Sequence, residues 1–430
     1  MTKKYFSGFL LFVFALANSA ASASDIDSTV EKIRELKFKE PVSRVIMTSE
    51  GMGKYLKKKI DEELPAERLR IMQLVLVKFG LLPKNTDLLN SFYNLYTEQA
   101  AGLYDPKVKK FFILDKLPDK ISQLYMDITV DAMHLLSSHE LTHALQDQYY
   151  DLQKLLPEEM DIDDRSTAVM ALAEGDATLV MLEYLAQCQG QTVDTEIEEA
   201  LETIGNTPVM ELPAMSDADI FNNSPLFLRE NLLFPYISGL RFVVMLKKKG
   251  GWDKINQAYT FPPASTEQVL HPEKFFSKEM PVLITLPSFR EILKKCELLE
   301  TGSIGELNIS ILAREFLPEK DAISVGPGWG GDSFAVYRQD SGLLLVWFTT
   351  WDTTAAADTF FEAMKTVLEK KYPDAKPVNK QKSLLEWKNE TTCNYLEKKN
   401  RDILIVETCS EDILPNLVKT AWKSRKSIAD

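Results

Sequence analysis

His139-Glu140-Leu141-Thr142-His143-Ala144-Leu145-Gln146-Asp147-Gln148 is the stretch from which the rest of the chain is best read. It lies inside Asp127 to Leu152, whose apolar spacing predicts a helix. Ala132, Met133, Leu135, Leu136, Leu141, Ala144 and Leu145 make that helix apolar over much of its circumference, so it belongs in a core. Residues four apart differ by about 40° around a helix, so His139 and His143 project from one face, one turn apart. Two imidazoles so placed can grip a single cation. Glu140 falls about 100° round from His139, beside such an ion and not on it, where a carboxylate can take a proton from water. The chain's other histidines are His134 and His271, so an H-E-x-x-H run arises by chance only about a few times in a thousand such chains. Burying two imidazoles and a carboxylate without a partner is costly, and a metal is the simplest partner.

A catalytic zinc needs a third protein ligand and an open position for water. Glu174, in Ala171-Leu172-Ala173-Glu174-Gly175-Asp176-Ala177, is the best candidate. It sits on a second predicted helix, Asp164 to Cys188, far enough beyond His143 for the first helix to end and the chain to return across it. Gly175 inside that helix costs about 1 kcal/mol relative to alanine, and the usual reason is close approach of another backbone. Asp176 is the rival ligand, and a solvated acid is the bland reading of Glu174. Asp147 and Asp176 are candidates to orient an imidazole, and each also reads as a surface acid. His134 lies about 140° off the face of His139 and reads as structural.

Outward from these helices, the 430 residues are 45% hydrophobic and 26% charged, which excludes a disordered chain and gives room for two or three domains. A net charge of −13 argues against a nucleic-acid partner. Lys3 and Lys4, the apolar run Phe9 to Ala17 and the ending Ala21-Ser22-Ala23 read as a signal peptide over residues 1–23. The apolar run is too short to cross a bilayer, so the expectation is an exported protein, periplasmic or extracellular, with no stable membrane anchor after cleavage.

Ile26 to Thr97 is mostly helical in pattern, Lys110 to Leu114 reads as a strand and Thr195 to Thr203 as an acidic helix. Pro235 to Lys249 reads as an apolar helix stopped by Gly250-Gly251, and Ser265 to Phe276 follows a Pro-Pro break. From residue 301 the pattern changes to a hairpin around Asp340-Ser341-Gly342, a helix Thr354 to Lys371 and strands at Ser383 to Trp387, Cys393 to Glu397 and Ile403 to Thr408. The expected class is α+β, with an α-rich domain carrying a small sheet over 24–300 and a smaller α+β domain over 301–430. Trp329, Trp347 and Trp351 are assigned to the core of the latter's sheet. Cys393 and Cys409 could face each other across its last hairpin, while Cys188 and Cys296 read as unpaired.

His139-Glu140-x-x-His143 followed on a second helix by Glu174 resembles the gluzincin metallopeptidases, in particular exported bacterial members that pair H-E-L-T-H-A-L-Q-D-Q with A-E-G-D-A. The likeness spans Thr97 to Phe276 and is specific at the two motifs. It implies a zincin-like fold, one zinc held by His139, His143 and Glu174, Glu140 as general base and proton shuttle, and peptide or protein substrates. By the same likeness, Lys110 to Leu114 resembles the edge strand that pairs with an extended substrate. The third-histidine pattern of metzincins is absent, since Gln146 and Tyr149 stand at its Gly and His positions. Thermolysin-like enzymes carry N-E-x-x-S-D, where this chain has Ala173 before the glutamate and Thr178 at the place of the Asp.

An oxyanion donor from later in the chain should reach the site, with His271 as candidate and Tyr236, Arg241 and Tyr259 as competitors. Two other functions share these residues: a catalytically idle zinc-binding or protein-binding module, and a zinc hydrolase of non-peptide amides.

Overall fold

Asp131 opens the motif helix Ala132–Tyr150 by accepting the Met133 N–H at 2.9 Å, and Asp151 closes it in the left-handed region at φ 55°. Every residue from Leu135 to Asp147 is buried, so the helix is enclosed on all sides. The computed structural model describes residues 26–99, 102–117, 131–155, 163–190, 219–340 and 342–428, and the expected signal segment and acidic helix 195–203 lie outside them.

The fold is α+β. Helices Ile26–Arg34, Ser49–Glu63, Ala66–Phe79 and Leu88–Gln99 precede the motif helix. A three-stranded sheet interrupts them, with the order Ser43–Met47, Lys110–Leu114, Gly102–Asp105. Lys110–Leu114 is therefore the central strand and not the expected edge; it pairs in parallel with Ser43–Met47 and antiparallel with Gly102–Asp105. The local apolar pattern misleads here because a short strand buried on both faces reads alike at an edge or a centre.

The glutamate helix Asp164–Cys188 and the long helix Leu226–Thr260 are the most extensively packed helix pair. Their backbones touch: a Cβ on Gly175 would lie 2.2 Å from the Gly239 carbonyl group, and one on Gly239 would lie 2.1 Å from the Ala171 oxygen. The interior glycine thus admits a second helix, as its position predicts. The long helix does not stop at Gly250-Gly251 but kinks there, Gly251 taking φ 64°, and continues to Thr260. Two short helices, Thr266–Leu270 and Pro272–Phe276, follow.

Beyond them lies a seven-stranded antiparallel sheet. Its order is Glu297–Gly302, Trp329–Gln339, Gly342–Trp351, Asp402–Thr408, Cys393–Lys399, Leu384–Lys388, Lys376–Lys380. Helix Thr354–Lys371 covers one face, packing Phe360 against Trp347 and Trp351, and helix Leu414–Ala421 helps cover the other. The three tryptophans are fully enclosed, as alternating strand positions facing a core should be. Cys393 opposes Thr408 in the sheet, with Cys409 one residue beyond, and all four cysteines are free thiols. The principal core runs without a break from Val30 to Ile405, so residue 301 marks a change of architecture inside one shared core. Among the described residues no helix is long and apolar enough to cross a membrane.

Candidate metal centre

One turn apart on the motif helix, the two imidazoles meet the glutamate helix face on. His139 Nε2 lies 3.1 Å and His143 Nε2 3.3 Å from Glu174 Oε2, and the two Nε2 atoms are 3.0 Å apart. One ligating atom from each falls within 4.8 Å of the others, and all three residues are buried. Two nitrogens and an anionic oxygen converging in a buried pocket form a donor set that could hold a metal ion.

The electrostatics of the three side chains have the same sense. Burial works against any charge on His143, yet the Glu174 carboxylate beside it prevails and lifts its pKa to about 9. Burial likewise opposes the Glu174 charge, but His143 and His139 hold it down to about 2. His139, wholly enclosed and next to a cationic neighbour, falls to about 4. The Glu174 carboxylate thus favours a positive charge beside it, the sense of charge a bound cation would bring.

Glu140 does not join the three. Its carboxylate accepts the backbone N–H of Tyr104 at 2.5 Å, and burial raises its pKa to about 7 while His143 and that N–H pull the other way. Gly102–Asp105, which carries Tyr104, is the edge strand of the small sheet beside the motif helix. Its placement is fixed twice: the Tyr104 hydroxyl donates to Asp147 at 3.0 Å, and Asp105 accepts from Lys59 at 2.7 Å and Tyr55 at 2.6 Å. A Cβ on Gly102 would lie 3.4 Å from Glu140 Cγ, so the strand runs directly over the carboxylate.

The two expected acids bond to other groups, and Asp176 reaches His143 through Gln146. Asp147 braces Tyr104 and caps Leu152, and contacts neither imidazole. Asp176, the rival ligand, is excluded from the group and is instead paired with Arg34 at 2.9 Å. Gln146 meets His143, its Oε1 2.8 Å from Nδ1. Gln146, Tyr104 and Arg34 were not legible as site residues. The only local signal was the i, i+3 spacing of His143 and Gln146.

His271 is not brought to the group. It sits at the joint of the two short helices, its Nε2 2.8 Å from Glu306 Oε1. The residue next to Glu306, Gly305, packs on Asp164, ten positions or about 15 Å along the glutamate helix from Glu174. Tyr259 is committed to Asp176 at 2.8 Å, and Arg241 lies about 140° round the long helix from Tyr236. Tyr236 is the competitor that arrives, its ring 6.2 Å from that of His139. His134 stays at the half-exposed first turn of the motif helix, near Asp131.

Fold and site together define an α+β protein with a buried two-histidine, one-glutamate group able to hold a metal ion. Residues 297–418 match the family model of a domain of unknown function, DUF8575, which covers all seven strands of the large sheet and none of the metal group. No curated protein and no solved structure matches the chain.

Proposed function

We propose that this chain is an exported, zinc-dependent metallopeptidase of gluzincin type that hydrolyses peptide bonds, with His139, His143 and Glu174 holding the zinc. The observation that carries the reading is the placement of Glu140: a buried carboxylate adjoining the three-residue group and bonded to an edge strand. When bound, zinc supplies Lewis acidity toward a carbonyl oxygen and makes a water proton acidic near neutral pH.

Glu140 takes that proton as the water oxygen bonds to the carbonyl carbon. It then returns the proton to the amine nitrogen as the C–N bond breaks. A carboxylate that takes a proton and gives it back serves both halves of this shuttle. Tyr104 N–H points out of the sheet toward Glu140, so by strand alternation the N–H and C=O of Gly102 point the same way. An extended peptide would pair along this edge and cross Glu140. Tyr236, beside His139, takes the place of His271 as candidate donor to the oxyanion. Segment 1–23 carries the export reading.

The test is zinc content and peptide cleavage by purified wild type and Glu140→Gln. The variant should keep its zinc and lose about 10²- to 10⁴-fold in rate. Full activity in the variant would remove Glu140 from the mechanism, and a wild type that cleaves no peptide in a diverse library would remove the substrate class.

A further inference from the structure

Gln146 is held at both ends of its side-chain amide. Its Nε2 faces two acceptors, the Ala173 carbonyl at 2.9 Å and Asp176 Oδ2 at 3.1 Å, and its Oε1 faces His143 Nδ1 at 2.8 Å. A flipped amide would set its oxygen against a carbonyl and a carboxylate, so only one orientation is satisfied. An amide oxygen can only accept. His143 Nδ1 must then carry a hydrogen, and in the neutral ring Nε2 is left with a lone pair directed at His139 and Glu174.

The acceptor that selects this orientation is itself secured. Asp176 Oδ2 accepts from Arg34 Nε at 3.2 Å and from the Tyr259 hydroxyl at 2.8 Å. Arg34 also donates to Asn256 at 2.9 Å and lies 4.6 Å over the Trp252 ring. Arg34, Asp176 and Gln146 are all buried, so water does not compete for these bonds. Helix Ile26–Arg34 thereby reaches the metal group through two side chains.

We propose that Gln146, keyed by Asp176 and Arg34, is a positioning residue that fixes the ligating tautomer of His143 and so sets the affinity of the buried group for a divalent cation. The proposal rests on the reading that the group holds zinc, and not on peptidase activity. Without the Gln146 oxygen, the Nε2–H tautomer of His143 competes, and that ring cannot ligate through Nε2. Losing an outer partner of this kind costs about 10- to 100-fold in metal affinity.

The experiment is a zinc titration against a competing chelator, on wild type, Gln146→Met and the paired variant Arg34→Met, Asp176→Asn. Methionine keeps the volume of Gln146 and removes the acceptor, and the paired variant leaves no lone buried charge, so it stands in should Gln146→Met fail to fold. Expected are one zinc per wild-type chain, about 10- to 100-fold weaker binding by Gln146→Met, and a smaller loss in the paired variant, where Ala173 still orients the amide. In zinc-loaded protein labelled with ¹⁵N-histidine, the hydrogen-bonded Nδ1–H resonance of His143 should shift in Gln146→Met, which a purely structural role would not produce. Equal zinc affinity, or an unchanged His143 ring resonance, overturns the proposal and leaves the zinc reading standing. A wild type that takes up no zinc overturns both.

Discussion

Glu140 is a carboxylate enclosed by protein, and its pKa of about 7 against an ordinary 4.5 has a consequence for stability. In the metal-free protein the folded chain holds this proton to higher pH than the unfolded chain does. The stability it contributes is present in full below about pH 4.5 and is lost as pH rises through about 7. Glu140→Gln keeps an acceptor for the Tyr104 N–H and cannot ionise. Metal-stripped Glu140→Gln should therefore melt above wild type at about pH 8 and lose that advantage by about pH 4. Thermal melts at the two pH values decide it; an advantage independent of pH rejects the cause given. At the same scale, Tyr236→Phe should lower peptide hydrolysis about 10²- to 10³-fold with zinc retained, and His271→Gln should leave the rate nearly unchanged. Paired kinetic and zinc assays check both. Equal losses would return the oxyanion role to the histidine. His139, Glu140, His143 and Glu174 could be read from the chain because helical spacing and an acid amid alanines are local signals. Gln146, Arg34 and Tyr104 could not, because their roles depend on partners such as Asp176, 142 residues from Arg34, or Glu140, 36 residues from Tyr104.

Helices Asp164–Cys188 and Leu226–Thr260 approach so closely that neither Gly175 nor Gly239 can carry a side chain without backbone movement. Gly239→Ala would place a Cβ 2.1 Å from the Ala171 oxygen, one turn before Glu174 on the glutamate helix. The helices must separate, at a cost of about 1–3 kcal/mol for overpacking, and the separation carries Glu174 with it. Urea unfolding should show the destabilisation, and zinc affinity should fall in parallel. A variant as stable as wild type would mean that the crossing is looser than the backbone contact implies. The motif helix, the glutamate helix, helix Thr354–Lys371 and five of the seven strands of the large sheet were legible because each keeps one period over its length. Strands Ser43–Met47, Gly102–Asp105, Val282–Thr285, Glu297–Gly302, Lys376–Lys380 and Arg425–Ile428 and helices Gly305–Phe316 and Leu414–Ala421 were missed, and Lys110–Leu114 was given the wrong neighbours. Strand order depends on pairing across the fold, which a period-two pattern does not encode.

At the scale of the molecule, the pattern changes near residue 301, and the packing across that boundary joins the two regions. Phe79, from helix Ala66–Phe79, inserts edge-on between Phe334 at 5.0 Å and Trp347 at 5.2 Å, both on the large sheet. Half-buried Lys371 donates to Glu407 at 2.7 Å and to the Lys78 carbonyl at 2.8 Å, so the same junction is closed by charge as well as by rings. Asp332 accepts from the N–H groups of Ile304 and Gly305, each at 3.0 Å, and from the indoles of Trp329 and Trp347, also at 3.0 Å. That carboxylate anchors helix Gly305–Phe316, which packs in turn on the glutamate helix and the long helix. Removing the Phe79 ring leaves a cavity at the centre of this junction and should cost about 3–5 kcal/mol. Since the core is continuous, Phe79→Ala should lower the melting of the sheet and of the metal group together. Near-ultraviolet circular dichroism follows Trp347, and a zinc-release dye follows the histidines. The two signals should move to lower temperature in one coincident transition. Were the sheet an independent unit, the tryptophan signal would shift alone and zinc release would stay at the wild-type temperature.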